Sequence, residues 1–266
     1  MRSSQPLRKC FLVFILVTSF LLIDSSGELF ARIAPIAKER ELRVVTADKV
    51  EIVGYAFFPA KDRYPNPPLV VLLHRSGESH ESWGDFPQSL CDSGFVALSM
   101  DFRGSGESTY DYKTSSDRPP HTYYIGEFAL FPSDVAAMVR KTITSYGREF
   151  DTTKIGVVGA ELGGTVGIMY AQNEPKVKFT AILSPGLELN ELRLAPVIKD
   201  FGDRPLFLAA GSKDIYAVQS CDILSDVIPR VLDIHIYNSY HTGSMLLLSQ
   251  LDLEKEIINE LQKYLK

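Results

Sequence analysis

The feature that most constrains the fold is an alternation, from Leu42 to the C-terminus, of short apolar runs and longer segments of helical period. This alternation is typical of a mainly parallel β-sheet covered by helices, because strands buried on both faces are continuously apolar. It predicts eight strands, over residues 42–46, 51–59, 69–74, 95–102, 154–159, 179–184, 205–211 and 231–237. Only residues 47–50 separate the first two strands, so we expect them to pair as an antiparallel hairpin.

Apolar residues recur at helical spacing in four segments, which predicts helices near residues 128–146, 162–172, 218–227 and 246–265. Hydrophobic residues make up 45% of the 266-residue chain and the mean hydropathy is +0.01, which supplies a core and excludes a disordered chain. We find no composition shift that marks a linker. The sequence therefore predicts one α/β domain over residues 28–266.

The N-terminus has the layout of a secretory leader. Arg2, Arg8 and Lys9 precede an uncharged apolar run at residues 10–23, and small residues follow up to Gly27. We therefore expect a signal peptide or signal anchor over residues 1–27 and a secreted or periplasmic protein. The run is shorter than the roughly 20 residues of a typical membrane span. Membrane anchoring through residues 10–23 stays open as an alternative, as does an N-terminal extension of a cytosolic protein.

Composition excludes several classes of partner. A net charge of −5 argues against a nucleic-acid partner, because binding to a phosphate backbone needs clustered positive charge. The chain has no C-x-x-C pair and no H-E-x-x-H motif, and the spacing of its histidines suggests no ligand set, so we expect neither a metal nor a cofactor. Cys91 and Cys221 follow the leader, and the sequence leaves their pairing and the oligomeric state open.

Three short motifs come directly after predicted strands. Gly-Ala-Glu-Leu-Gly-Gly at 159–164 follows the fifth strand, Gly-Ser-Lys-Asp at 211–214 follows the seventh, and Tyr-His-Thr-Gly at 240–243 follows the eighth. Open α/β sheets place their sites at the carboxyl ends of the strands. We therefore expect these three motifs to meet at one edge of the sheet.

Their order resembles that of the α/β-hydrolase superfamily, whose triad runs nucleophile, acid, histidine and whose nucleophile lies in a G-x-S-x-G elbow. Residues 72–77 look like the oxyanion loop of that superfamily, and residues 101–108 look like its D-x-R-G-x-G-x-S segment. The resemblance extends from Leu42 to the C-terminus. Because residues 185–204 are too few for a large inserted cap, the chain looks most like the compact dienelactone-hydrolase and esterase branch.

The resemblance implies a role for eight residues: catalytic positions for Glu161, Asp214 and His241, oxyanion donors on Leu162 N–H and the backbone of Arg75, and loop support from His74, Asp101 and Arg103. Two of these have plainer alternatives. Glu161 would also suit a solvated position at a helix N-terminus. Asp214 would also suit a turn after Gly211.

The elbow departs from the superfamily pattern, because Glu161 stands where the pattern has a nucleophilic serine. A carboxylate has no proton to give to a histidine, and its attack on an ester would form a costly anhydride. Between Asp214 and Glu161, His241 would also be held as a cation, since neighbouring anions raise an imidazole pKa. We therefore expect serine-type acyl transfer to be lost and the protein to bind an unidentified small molecule.

The alternative is an active hydrolase acting on an ester or a related small substrate. Relatives with an aspartate at the elbow attack sp3 carbon through an alkyl ester, and Glu161 would do the same only if the pocket accommodated its extra methylene. A dinucleotide-binding loop at residues 157–163 is set aside, because Glu161 falls where the second glycine of G-x-G-x-x-G is required.

Overall fold

Eight strands form a single sheet in the computed structural model, which describes residues 21–23, 29–31 and 37–266. The strands are β1 (Lys38–Val45), β2 (Glu51–Phe58), β3 (Pro68–Leu73), β4 (Val96–Met100), β5 (Asp151–Ala160), β6 (Val177–Leu183), β7 (Leu206–Gly211) and β8 (Val231–Tyr237). Their order across the sheet is β8-β7-β6-β5-β3-β4-β2-β1. β2 is antiparallel to both β1 and β4, and the remaining pairs are parallel. The predicted eight strands and the first hairpin are confirmed.

Helices cover both faces of the sheet. They are α1 (Phe86–Asp92), α2 (Phe131–Tyr146), α3 (Leu162–Asn173), α4 (Ala195–Ile198), α5 (Ile215–Val227), α6 (Gly243–Ser249) and α7 (Leu251–Leu265). Buried side chains of α2, α3, α4 and α5 form the core on one face, and those of α1, α6 and α7 form the core on the other. Burial on both faces explains why the central strands are continuously apolar.

The segment between β6 and β7 is small. It contains a short pairing of Glu188–Leu189 with Leu192–Arg193, followed by α4. Within the described chain this segment adds no large cap, as the sequence predicted.

The prediction of one C-terminal helix over residues 246–265 is wrong. Gln250 has an extended backbone, with φ −126° and ψ 91°, and it separates α6 from α7. Leu246 and Leu247 are buried residues of α6, and Leu253 and Ile257 are buried residues of α7. Apolar residues recur on both sides of the break, so their spacing alone does not reveal it.

Most of the predicted leader, residues 1–27, lies outside the described residues. In the unit of residues 1–35, the described part is an antiparallel pairing of Leu21–Ile23, within the predicted leader, with Leu29–Ala31, which follows it. Residues 36–266 form the unit that contains the eight-stranded sheet. None of the helices among the described residues is both long and apolar enough to cross a membrane.

Candidate active site

A sharp turn joins β5 to α3, and Glu161 is the single residue between them. Its backbone has φ 46° and ψ −109°, a conformation that is costly for any residue with a side chain. The Glu161 N–H donates to the carbonyl of Leu183 at 2.9 Å. A Cβ on Gly163 would lie only 2.0 Å from the carbonyl oxygen of Leu73. Close packing of α3 on the end of β3 therefore holds the turn, and Glu161 is at its tip.

The carboxylate of Glu161 faces an arginine. Its Oε1 lies 3.5 Å from Nη1 of Arg75, and the Glu161 side chain is 26% exposed. Arg75 Nε donates to Oε1 of Glu78 at 2.6 Å, and Oε2 of Glu78 accepts from Ser244 Oγ at 2.8 Å. Partial burial disfavours the Arg75 charge, but Glu78 and Glu161 hold the pKa of Arg75 above its ordinary value. This chain of contacts links the elbow, the loop after β3 and the start of α6.

The other two residues of the predicted triad are not joined to Glu161 by hydrogen bonds. Asp214 caps α5, where its Oδ1 accepts from the N–H of Ala217 at 3.1 Å. The side chain of His241 is exposed, and its backbone N–H donates to Ser239 Oγ at 3.0 Å. Among the described residues the His241 ring makes no hydrogen bond or ion pair. Asp214 is turned toward the helix because α5 begins at Ile215, three residues before the predicted start.

The two predicted oxyanion donors lie on segments that pack against each other. Leu162 is the first residue of α3, so its N–H has no acceptor within the helix. Arg75 follows β3 by two residues, and its carbonyl accepts from Glu78 N–H at 3.3 Å. The sequence predicts a backbone role for Arg75 and does not indicate the contact between its guanidinium and Glu161. That contact joins two loops distant in sequence, and we find no local pattern that indicates it.

His74 connects the loop after β3 to the loop after β4. The residue is fully buried, and its Nδ1–H donates to the carbonyl of Arg75 at 2.7 Å. Its Nε2 accepts from Phe102 N–H at 3.0 Å. Burial lowers the pKa of His74, and Nε2 can accept this hydrogen bond only in the neutral ring. The neutral tautomer protonated at Nδ1 satisfies both partners, which gives His74 the geometry that loop support requires.

Asp101 is fully buried and lies at the centre of a hydrogen-bonded cluster that includes the partly buried His80. Asp101 accepts from the N–H groups of His80 at 2.6 Å and Glu107 at 2.9 Å, and from Nδ1 of His80 at 3.0 Å. Burial opposes its ionisation, but these donors keep the pKa of Asp101 below its ordinary value. Burial also opposes protonation of His80, yet Asp101 raises the pKa of His80. The sequence does not indicate this role of His80, because the spacing of His80 from Asp101 matches no motif.

The His80–Asp101 pair predicts a pH-dependent stability. Because the folded-state pKa of His80 is raised, its contribution is fully present below the unfolded value of about 6.5 and is lost as the pH rises through the folded value. We expect the free energy of unfolding to fall by about 1 kcal/mol on this account between pH 6 and pH 8. Urea unfolding of wild type and His80→Gln at several pH values measures the difference. An equal pH slope in both proteins would contradict the assignment.

Arg103 joins three parts of the fold. The side chain is 1% exposed, and its Nε and Nη2 each donate to a carboxylate oxygen of Asp134 on α2 at 2.7 Å. Its Nη1 donates to Asp48, in the turn between β1 and β2, at 2.6 Å. The hydrogen bond from Arg103 lowers the pKa of Asp48 to about 2. The guanidinium therefore ties the loop after β4 to the first hairpin and to α2.

The two cysteines that the sequence left open are both buried and free. Burial raises the pKa of each thiol to about 12, so both are neutral and inert as nucleophiles. In the part of the chain that the structure describes, no group of three or more His, Cys, Asp or Glu side chains is placed to hold a metal ion.

A strand-turn-helix elbow at the carboxyl edge of this sheet, with a histidine loop after β8, defines the class of α/β-hydrolase-fold proteins. Within that class, the chain belongs to the serine aminopeptidase S33 family, whose sequence profile matches residues 65–211. That match runs from three residues before β3 to the end of β7 and contains the elbow.

Solved structures with the same fold include esterases and related hydrolases. An esterase from Pyrococcus furiosus is 17% identical, with a TM-score of 0.66 over 86% of this chain and 92% of its own. A dienelactone hydrolase from Anabaena variabilis is 15% identical, with a TM-score of 0.66 over 86% of this chain and 99% of its own. A curated relative, a probable alcohol acetyltransferase of Cyberlindnera jadinii, is 23% identical over 154 residues, or 56% of this chain and 38% of that protein. At these identities the structural likeness establishes the fold.

Proposed function

We propose that this chain is an α/β-hydrolase-fold protein in which serine-type acyl transfer has been lost and which acts by binding a small molecule. The observation that carries the proposal is the side chain at the tip of the elbow. Glu161 is the single residue between β5 and α3, the position at which the superfamily resemblance predicts the nucleophile, and its carboxylate faces the guanidinium of Arg75 at 3.5 Å.

Acyl transfer at an elbow needs a nucleophile that can give a proton to a histidine. An ionised Glu161 has no such proton, and the positive charge of Arg75 reduces the nucleophilicity of its oxygens. The ring of His241 makes no hydrogen bond to Glu161 or to Asp214 among the described residues, so no general base is engaged at the elbow while residue 161 is a glutamate. These three observations support the loss of ester hydrolysis by the serine route.

The residues that remain at the elbow suit binding. The side chains of Glu161 and Arg75 are 26% and 34% exposed, so an acceptor and a donor of opposite charge reach solvent side by side. The free N–H of Leu162 at the start of α3 adds a second donor beside them. A small polar molecule with both donor and acceptor groups would complement this arrangement.

The test replaces the glutamate with the serine of the superfamily pattern. We expect wild type to hydrolyse p-nitrophenyl acetate and p-nitrophenyl butyrate no faster than a protein-free control. Glu161→Ser should gain turnover at least about tenfold above wild type, because general-base catalysis adds roughly two orders of magnitude or more once a histidine can engage the hydroxyl. Spectrophotometric release of p-nitrophenol measures both rates.

Two variants serve as controls. Glu161→Ala removes the carboxylate without adding a hydroxyl and should stay at background, and adding His241→Ala to Glu161→Ser should remove the gained activity. The competing function is an active hydrolase with Glu161 as a carboxylate nucleophile. Wild-type turnover that Glu161→Ala abolishes would establish that function and overturn our proposal.

A further inference from the structure

Helix α5 has two apolar faces. One face packs on the sheet through Ala217 and Leu224, which are buried. The other carries Tyr216, Ile223 and Val227, which are 46%, 47% and 50% exposed. Steps of seven and eleven residues return to nearly the same side of a helix, so these three residues form one stripe. A helix at the surface of a globular protein usually has a single apolar face, so this second stripe calls for an explanation.

The stripe forms one wall of a groove with a volume of about 680 Å³. The opposite wall comes from the segment between β6 and β7 and includes Leu187, Ala195 and Ile198. We call this feature the α5 groove. Its volume lies within the range of small-molecule sites, which are concave and mostly apolar.

Hydrogen bonds within the chain fix both walls of the α5 groove. The hydroxyl of Tyr216 donates to the carbonyl of Glu188 and accepts from its N–H, both at 2.9 Å. The N–H of Leu194 donates to the carbonyl of Leu187 at 2.9 Å. The groove is therefore formed before any ligand arrives, which lowers the entropic cost of binding.

One unpaired positive charge lies on the lining. Lys199 is exposed and makes no ion pair with any carboxylate in the described part of the chain. Glu188 also lines the groove, but its carboxylate lies 3.6 Å from Arg193, and Asp200, next to Lys199 in sequence, accepts from Gln172 at 3.3 Å. An apolar groove with a free ammonium group is complementary to an apolar chain with an anionic head.

We infer that the α5 groove binds a single-chain fatty acid, with its hydrocarbon chain along the Tyr216–Val227 stripe and its carboxylate at Lys199. From Tyr216 to Val227 the helix advances about 16 Å, which accommodates an extended chain. Neither Glu161 nor Arg75 lines the groove, so this site does not depend on the function proposed for the elbow.

The hydrocarbon contact is tested with the fluorescent fatty acid 11-(dansylamino)undecanoate and its displacement by dodecanoate. Wild type should bind the probe saturably, and Ile223→Asp should bind it at least about tenfold more weakly, because the new carboxylate meets the hydrocarbon chain. Leu251→Asp makes the same chemical change at an exposed position outside the groove and should bind like wild type. Melting temperatures by circular dichroism identify any variant that fails to fold.

The charge contact is tested with Lys199→Gln, which should weaken dodecanoate binding about threefold to tenfold and leave dodecan-1-ol binding unchanged. Lys141→Gln, on the exposed face of α2, is the matched control. Glu161→Ser should retain full affinity, so failure at the elbow is distinguishable from failure at the groove. The inference is overturned if wild type shows no saturable binding or if Ile223→Asp binds normally. Sedimentation velocity showing a dimer that Ile223→Asp dissociates would overturn it by assigning the groove to a second copy of the chain.

Discussion

Replacing Arg103 with methionine is expected to lower the free energy of unfolding by about 3–5 kcal/mol. The substitution removes four hydrogen bonds and leaves Asp134 buried without its cationic partner. A buried carboxylate that loses its partner retains the full cost of desolvation, which is why breaking such a pair costs more than a surface pair contributes. Urea unfolding followed by circular dichroism measures the change.

Two companion variants separate the lost ion pair from a general loss of packing. Arg140→Met, on the exposed side of α2, should change stability by less than about 0.5 kcal/mol. Adding Asp134→Asn to Arg103→Met should restore part of the loss, because the orphaned charge is then absent. If Arg103→Met is as stable as wild type, the guanidinium does not hold the three segments together as described.

Gly163→Ala is expected to have the other large effect, a loss of more than about 4 kcal/mol or a failure to accumulate as folded protein. The added methyl would lie 2.0 Å from the carbonyl oxygen of Leu73 and 2.6 Å from that of His74. Both obstacles are backbone atoms, so neither can move aside by changing a rotamer. Soluble yield and urea unfolding are the measurements.

Gly126→Ala is the control, because Gly126 has a left-handed backbone but leaves open space for a side chain. Gly126 has φ +82°, and no heavy atom lies within 4 Å of a Cβ placed there. Its replacement should cost about 1–2 kcal/mol, the usual penalty for a left-handed backbone. Equal effects of the two substitutions would mean that close contact of α3 with β3 does not hold the elbow.

The fold was predictable because the pattern that indicates it is local. Each central strand is buried on both faces and so appears as an unbroken apolar run. Only four residues separate the first two predicted strands, and five separate β1 from β2 in the structure, which is short enough to indicate their hairpin. The boundary between α6 and α7 was not predictable in this way. Gln250 breaks the helix by its backbone conformation, whereas apolar residues recur on both sides of it.

The candidate site was predictable in position but not in its contacts. The motifs after β5, β7 and β8 indicated where Glu161, Asp214 and His241 lie along the chain. The partner of Glu161 is Arg75, which comes from another loop, and no spacing rule relates the two. For the same reason the sequence did not pair His80 with Asp101. Such contacts depend on how loops meet in space, and a single sequence does not report that.

The strained backbone at residue 161 has an evolutionary consequence. Close packing of Gly163 against the end of β3 holds this conformation. Its strain of about 1–3 kcal/mol is offset by the surrounding structure, whatever side chain residue 161 has. Residue 161 can therefore be substituted without loss of the strand-turn-helix elbow. A lineage built on this framework can discard a reactive group and later acquire another at the same place, so ancestry and present chemistry need not coincide.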